Sequence, residues 1–167
     1  RDIIKEDRPY TDLFTEKVAY VNGPITFFWR YQATIATRLR MDPAPLDKAK
    51  LPYLNWSDDN KWTKIKLAPQ HSGILTSTAF LLRFQTGRAR ANRYYNTFLC
   101  QPFQPPESGI PVSSAEALKE PNLQKRAGCK YCHALLEPVS SYWGRWTEAG
   151  AAYLDSTDYP AHSAQCE

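Results

Sequence analysis

The chain has 167 residues, among them 13 prolines, 5 tryptophans and 10 tyrosines, and hydrophobic residues make up 43% of it. So much proline predicts short helices separated by coil. The length suits one domain with a sizeable core or one domain with a long irregular extension, and the composition favours the second. A net charge of +4, without any run of five or six basic residues, argues against nucleic acid as a partner. The longest apolar stretches are far too short to cross a bilayer, so we expect no transmembrane segment.

The first part of the chain is expected to be largely helical. Over residues 1–14 a short apolar periodicity is interrupted by Pro9, which predicts two brief helical segments. Residues 18–21 are expected to be extended, and the sequence at 22–24 is typical of a turn. A helix is predicted from residue 25 to about residue 38, because large apolar side chains recur there at helical spacing.

Residues 40–69 lose this periodicity, and proline and polar residues accumulate. We expect a long surface loop here, with one short strand at 62–67, where polar and apolar residues alternate. Helices are predicted next at 78–84 and 91–99. The second of them carries apolar side chains at i, i+3, i+4, i+7 and i+8, and Cys100 lies at its end.

A proline-rich connection at 102–111 precedes the C-terminal part of the chain. Capping-box spacing predicts a short helix at 113–118. A longer helix is expected from Pro121 to Leu136, with Pro138 closing it. The predicted fold class is therefore mainly α with extensive coil.

One motif concentrates the chemistry of the chain: Cys129-Lys130-Tyr131-Cys132-His133 has the C-x-x-C-H spacing of c-type haem attachment. Two cysteines three residues apart lie on one side of a helical turn, so each thiol can add to one vinyl group of the same porphyrin. The residue that follows them, His133, would be the proximal ligand of the iron. The prediction is one haem c, bound covalently, with the short helices packed around it.

Two other uses of this cysteine pair compete with haem attachment. A structural zinc site needs further ligands near the pair. They would have to come from residues scattered along the chain: Cys100, Cys166, His71 or His162. A thioredoxin-like redox pair normally lies in a strand-to-helix βαβ setting, a pattern that this sequence does not show.

Two further side chains are candidates for contacts with the haem. Arg93 is one of four arginines near the start of the helix at 91–99, and guanidinium groups bind carboxylates such as haem propionates bidentately. A solvated helix face explains these arginines equally well. Trp143 belongs to an aromatic stretch suited to covering a porphyrin edge, with an ordinary aromatic core as the alternative.

Three parts of the chain carry a likeness to a known family: residues 6–10 with 20–22, residues 71–76 with Arg93, and residues 129–133 with 136–138. On these the chain resembles the planctomycete-type cytochrome c-associated domains of unknown function, which occur as modules of long exported bacterial proteins. The resemblance implies export and a haem c, and it implies that this chain is the C-terminal part of a longer protein or one product of its cleavage. It names no electron donor or acceptor.

The chain departs from that family at two of the three segments. The family usually has Arg where this chain has His71. It usually has Met-Asp-Pro where this chain has Leu136-Glu137-Pro138.

The sixth ligand of the iron decides between functions, because two strong axial ligands favour electron transfer and an open position favours binding or catalysis. No methionine follows His133. The remaining candidates are His71, and behind it His162 and Met41. His71 comes first because it precedes a well-formed helix, where a fixed backbone can aim it. For each candidate, the alternative is an ordinary surface or core residue.

The leading hypothesis is a monohaem c-type cytochrome module that transfers single electrons. A haem enzyme of the peroxidase kind, or a gas sensor with an open distal site, is the first alternative. A structural or assembly subunit, in which the haem mainly organises a coil-rich fold, is the second. Redox partner proteins or neighbouring haem subunits are the expected partners, and assembly with other chains or modules would follow.

Thioether attachment normally takes place outside the cytoplasm, so we expect an exported bacterial protein in the periplasm or outside the cell. In that oxidising environment Cys100 and Cys166 are expected to pair, with two buried free thiols as the alternative. We expect residues 1–167 to form a single haem domain. In it, residues 1–69 are the N-terminal helical and loop portion and residues 70–167 carry the haem.

Overall fold

The structure is a computed structural model that describes residues 2–38, 41–42, 46–102, 107, 109, 114–148 and 151–154. The chain divides into two compact units. The first contains the described residues up to Arg83 and those from Arg145 to 154, and the second contains residues 84–144. The single haem domain with a boundary after residue 69 stays a prediction.

The first unit combines four helices with two small antiparallel sheets. Its helices are α1 (Asp2–Lys5), α2 (Asp12–Thr15), α3 (Gly23–Arg38) and α4 (Thr78–Arg83). Its strands are β1 (Val18–Val21), β2 (Met41–Asp42), β3 (Thr63–Lys66) and β4 (Tyr153–Leu154), and 3-10 turns lie at Lys48–Lys50 and Gly73–Thr76. The predicted extended segment, the helix after the turn at 22–24, the strand at 62–67 and the helix at 78–84 are confirmed within a few residues.

The two sheets join parts of the first unit that are distant in sequence. β1 pairs with β3 from Val18 opposite Lys66 to Val21 opposite Thr63, and β2 pairs with β4. The alternation of β3 turns Ile65 inward, where an apolar cluster forms at the sheet and the first turns of α3. The members of this cluster are Val21, Trp29, Leu51, Ile65 and Leu67. The first unit therefore has a hydrophobic core of its own.

The polar loop after residue 54 is bound to the start of α3. The Asn22 side chain accepts a hydrogen bond from the N–H of Ile25 at 3.1 Å and donates one to the carbonyl of Asp59 at 2.8 Å. The N–H of Gly23 donates to the carbonyl of Asp58 at 3.0 Å. A Cβ at Gly23 would lie 1.9 Å from the carbonyl oxygen of Asn55, so this close approach requires glycine.

The described residues of the second unit form two helices, α5 (Gly87–Phe98) and α6 (Lys130–Ser140), with 3-10 turns at Ala117–Lys119 and Ser141–Trp143. Thr86 caps α5, because its Oγ1 accepts the N–H of Ala89 at 3.1 Å. Arg90 is fully buried, and its Nε donates to the carbonyl of Phe84 at 2.8 Å. This arginine therefore serves the packing of the helix start.

The prediction of one helix from Pro121 to Leu136 is wrong. Residues 123–129 form turns, and Gly128 has a φ of 82°, a left-handed conformation that separates these turns from α6. The C-x-x-C-H motif consequently lies at the first turn of a helix, and not on its last turns.

The predicted end of the same helix at Pro138 is also wrong, because α6 continues through this proline to Ser140. The hydroxyls of Ser140 and Ser141 donate to the carbonyls of Glu137 and Pro138 at 2.9 Å and 2.6 Å. These bonds satisfy backbone acceptors of the last turn and stabilise it beyond the proline. In the described part of the chain, no helix has both the length and the apolar character that crossing a membrane requires.

Candidate haem attachment site

The two cysteines of the motif lie on one side of a single helical turn. Cys129 immediately precedes α6, and its carbonyl accepts the N–H groups of both Cys132 and His133 at 3.2 Å. This closes the turn that places side chains i and i+3 next to each other. Both thiols are free and half-buried. Two sulfurs are therefore available along one edge of the helix start.

The imidazole of His133 is bound by a carboxylate from the next turn of the same helix. Its Nδ1 lies 2.7 Å from Oε1 of Glu137, four residues later, and these side chains are only 21% and 23% exposed. A carboxylate accepts but does not donate, so Nδ1 carries the proton and donates it. In this tautomer the lone pair of Nε2 is free to bind a metal ion.

A second residue binds the same carboxylate oxygen. Nε of Arg88, on the first turn of α5, donates to Oε1 of Glu137 at 2.7 Å. Burial by itself raises the pKa of Glu137. The hydrogen bonds from His133 and Arg88 lower this pKa by more than burial raises it, so that it lies below its usual value. Glu137 is therefore held as a carboxylate between two donors.

These observations test whether the motif fits a covalent haem. A c-type haem needs two thiols on one side of a turn and an imidazole nitrogen free for the iron, and Cys129, Cys132 and His133 meet both requirements. In the described part of the chain, no three His, Cys, Asp or Glu residues come together as a metal-binding group. Zinc thus has no tetrahedral ligand set among these residues.

The two predicted haem contacts lie in the same unit as the motif. The Arg93 guanidinium lies 4.8 Å from the ring centre of Phe84, a cation–π geometry, and its Nη1 is 3.5 Å from Oγ1 of Thr97. Trp143 is buried in the 3-10 turn that follows α6. Their contact with a haem stays a prediction.

His71, the first candidate for the sixth ligand, belongs to the first unit and is only 5% exposed. Its Nδ1 lies 3.2 Å from Oγ1 of Thr76, and its ring centre is 5.1 Å from that of Trp146. Met41 is in β2, also in the first unit. His162 lies outside the described residues, so the choice among these three stays a prediction.

The proposed disulfide also stays a prediction. Cys100 is exposed just after α5 and has a φ of 51°. Its predicted partner, Cys166, lies outside the described residues.

Sequence reasoning missed Glu137 and Arg88 as parts of the site. For Glu137 a signal was present, because residues at i and i+4 of a helix are neighbours. Arg88 is one of the four arginines near the start of α5. Nothing in their spacing singles it out, and only the packing of α5 against α6 brings it to this carboxylate. The sequence also did not predict a cavity of about 580 Å³ in the first unit, bounded mainly by apolar side chains of β1, α3, α4 and the turn at Gly73–Thr76.

No family model, no curated protein and no solved structure matches this chain. The resemblance to the cytochrome c-associated domains therefore depends on the residues quoted above alone.

Proposed function

We propose that this chain is an exported c-type cytochrome module that carries one haem and transfers one electron at a time. The observation that carries the proposal is the geometry of the motif. Two free thiols lie one helical turn apart, and the imidazole beside them has its Nδ1 proton bound by Glu137. This arrangement supplies the two attachment points and the metal ligand that a haem c requires.

Each residue of the motif has a separate role in this proposal. The thiols of Cys129 and Cys132 would hold the haem covalently, each S–H adding across one vinyl group so that two C–S bonds form and no atom leaves. Nε2 of His133 would bind the iron. When bound, the haem would supply one-electron chemistry between redox partner proteins.

The packing of the second unit gives independent support. Its buried apolar residues, among those described, are Ala91, Leu136 and Trp143. On α6, Tyr131 and Leu135 remain exposed. A porphyrin has two large apolar faces, and burying them would stabilise a unit that has little core of its own. Export and the resemblance to the cytochrome c-associated domains belong to the same proposal.

A haem enzyme or gas sensor with an open distal position is the second candidate. One observation favours it: among the described residues of the second unit, His133 is the only histidine, and there is no methionine. A sixth ligand would then have to come from outside these residues.

The absorbance spectrum of the purified chain, matured in a host that exports and attaches haem c, tests the proposal. We expect a Soret band that remains with the polypeptide after denaturation, and a sharp α band on reduction that carbon monoxide does not change. A broad high-spin spectrum that shifts with carbon monoxide would favour the second candidate. The double variant Cys129→Ala/Cys132→Ala is the control and should lose covalent haem, whereas wild-type chain without a Soret band would contradict both haem functions.

A further inference from the structure

We infer that Glu137 is a positioning residue that lowers the reduction potential of the haem through His133, and that Arg88 moderates this effect. The inference rests on the proposed function, because it concerns the iron that His133 would bind. It assigns to these two residues the regulation of the potential, which the motif alone does not specify.

The first step is the strength of the hydrogen bond to His133. The acceptor of the Nδ1 proton is a carboxylate at 2.7 Å, and hydrogen bonds to an ionised acceptor are roughly twice as strong as those between neutral groups. Both side chains are about four-fifths buried, so water screens this bond only in part. Their spacing at i and i+4 on α6 keeps the acceptor at one fixed side of the ring.

The second step is what this bond does to the ligand. A carboxylate that draws the Nδ1 proton towards itself increases the electron density at Nε2 and makes the imidazole a stronger donor. A stronger donor stabilises the more highly charged oxidised iron more than the reduced iron. Glu137 therefore lowers the potential relative to a neutral acceptor at the same place.

The third step concerns Arg88, which donates to the same oxygen of Glu137 at 2.7 Å. A cation on this oxygen withdraws density from the bond to His133 and neutralises the carboxylate charge. Arg88 therefore raises the potential that Glu137 lowers. The two residues act with opposite signs through a single oxygen atom, Oε1, and a purely structural role would not predict opposite signs.

Two substitutions in the haem-loaded chain test this inference by spectroelectrochemical titration. Glu137→Gln keeps the shape and a carbonyl acceptor but removes the charge. We expect it to raise the ratio of reduced to oxidised haem at a fixed potential about tenfold, which is about 59 mV for one electron. Arg88→Gln should change the ratio in the opposite direction. The iron–histidine stretching frequency, measured by nuclear resonance vibrational spectroscopy of isotopically labelled iron because that method also detects it in six-coordinate haem, should fall in Glu137→Gln and rise in Arg88→Gln.

Glu116→Gln is the matched control, because Glu116 is an exposed carboxylate of the same unit, paired with Lys119 at 2.9 Å. It should leave the potential and the stretching frequency unchanged. If Glu137→Gln does not mature, Arg88→Gln decides alone, since a lowered potential supports the inference and an unchanged one contradicts it.

The outcomes separate this inference from the proposed function. Covalent haem with an unchanged potential and stretching frequency in both variants, or with shifts of the same sign, overturns the inference and leaves the cytochrome proposal intact. A wild-type chain that carries no covalent haem overturns both.

Discussion

The two units of this protein differ in where their stability and their chemistry lie. The first buries apolar side chains from sheet, loop and helices, including Val21, Trp29, Leu51 and Leu81. The described residues of the second form two helices and bury three apolar side chains and one arginine, Arg90. Yet the second carries the cysteine pair, the histidine and the carboxylate. The part of the chain with fewer buried apolar residues is thus the part to which we assign, as a proposal, a large apolar cofactor.

The two histidines that the structure describes, one in each unit, also differ in their hydrogen-bond partners. His71 of the first unit lies near a neutral hydroxyl at 3.2 Å and packs against Trp146, as a core histidine does. His133 of the second unit is held by a carboxylate at 2.7 Å. A carboxylate on Nδ1 is the arrangement that metal-binding histidines commonly show, so the partner atom distinguishes a candidate ligand better than burial does.

The change with the largest expected effect is His133→Ala in the haem-loaded chain. Removing the proximal imidazole should abolish the low-spin spectrum of the reduced protein, while the thiols of Cys129 and Cys132 still hold the porphyrin. Absorbance and electron paramagnetic resonance spectra measure this loss. Normal iron ligation in this variant would contradict the motif interpretation, because another residue would then have to be the proximal ligand.

His71→Ala is the matched variant in the first unit. The prediction that His71 is the sixth ligand competes with a core role against Trp146, and this variant decides between them. If His71 is the ligand, covalent attachment should be unaffected, but the six-coordinate low-spin haem should become high-spin and bind carbon monoxide. An unchanged spectrum would assign His71 to packing against Trp146 and leave the sixth position to another residue.

Leu81→Ala should weaken the first unit without changing the haem. Leu81 is fully buried in α4, and removing such a side chain costs about 2–5 kcal/mol of the free energy of unfolding. Urea denaturation followed by circular dichroism measures the loss, and the reduced α band reports on the haem. Leu118→Ala, at an exposed site of the second unit, is the control and should change the free energy of unfolding little. A large change in the reduced haem α band of Leu81→Ala would contradict the assignment of the haem to the second unit alone.

The smallest expected effect is a pH dependence at Asp58 in the first unit. Its carboxylate accepts the N–H of Asn55 at 2.9 Å and a bond from Nζ of Lys61 at 3.2 Å. The backbone bond first, and then Lys61, hold the pKa of Asp58 below its usual value, while desolvation opposes them weakly. Since the folded pKa is depressed, this stabilisation is present above the unfolded pKa of about 3.9 and is lost as the pH falls through the folded value.

Asp58→Asn should therefore lower the urea midpoint slightly at pH 6, and the difference from wild type should shrink below a pH of about 3.9 and disappear once the pH is below the folded pKa. The loss stays small because the asparagine oxygen still accepts the N–H of Asn55. Equal midpoints at pH 6 would mean that the charge of Asp58 contributes nothing to the loop at the start of α3.

Several elements of the fold could be predicted from local sequence. The helix α3, the strand β3 and the helix α4 follow from apolar periodicity and turn residues, which act over a few neighbouring positions. The prediction of a helix from Pro121 onward is wrong, although Pro121 and the apolar residues after it have the pattern of a helix start. Gly128, with its φ of 82°, interrupts that pattern, and a sequence does not state which glycines adopt such a conformation.

The C-x-x-C-H spacing is a local property, and the sequence by itself determined the cysteine pair and the histidine as the candidate chemical centre of this chain. Glu137 is within reach of His133 because α6 extends past Leu136, a neighbourhood that the i, i+4 spacing alone could have indicated. Only the tertiary structure decided the contact of Arg88 with Glu137, because it needs α5 to pack against α6 and 49 residues separate the two. Contacts over such distances depend on how helices pack, and no local pattern encodes them.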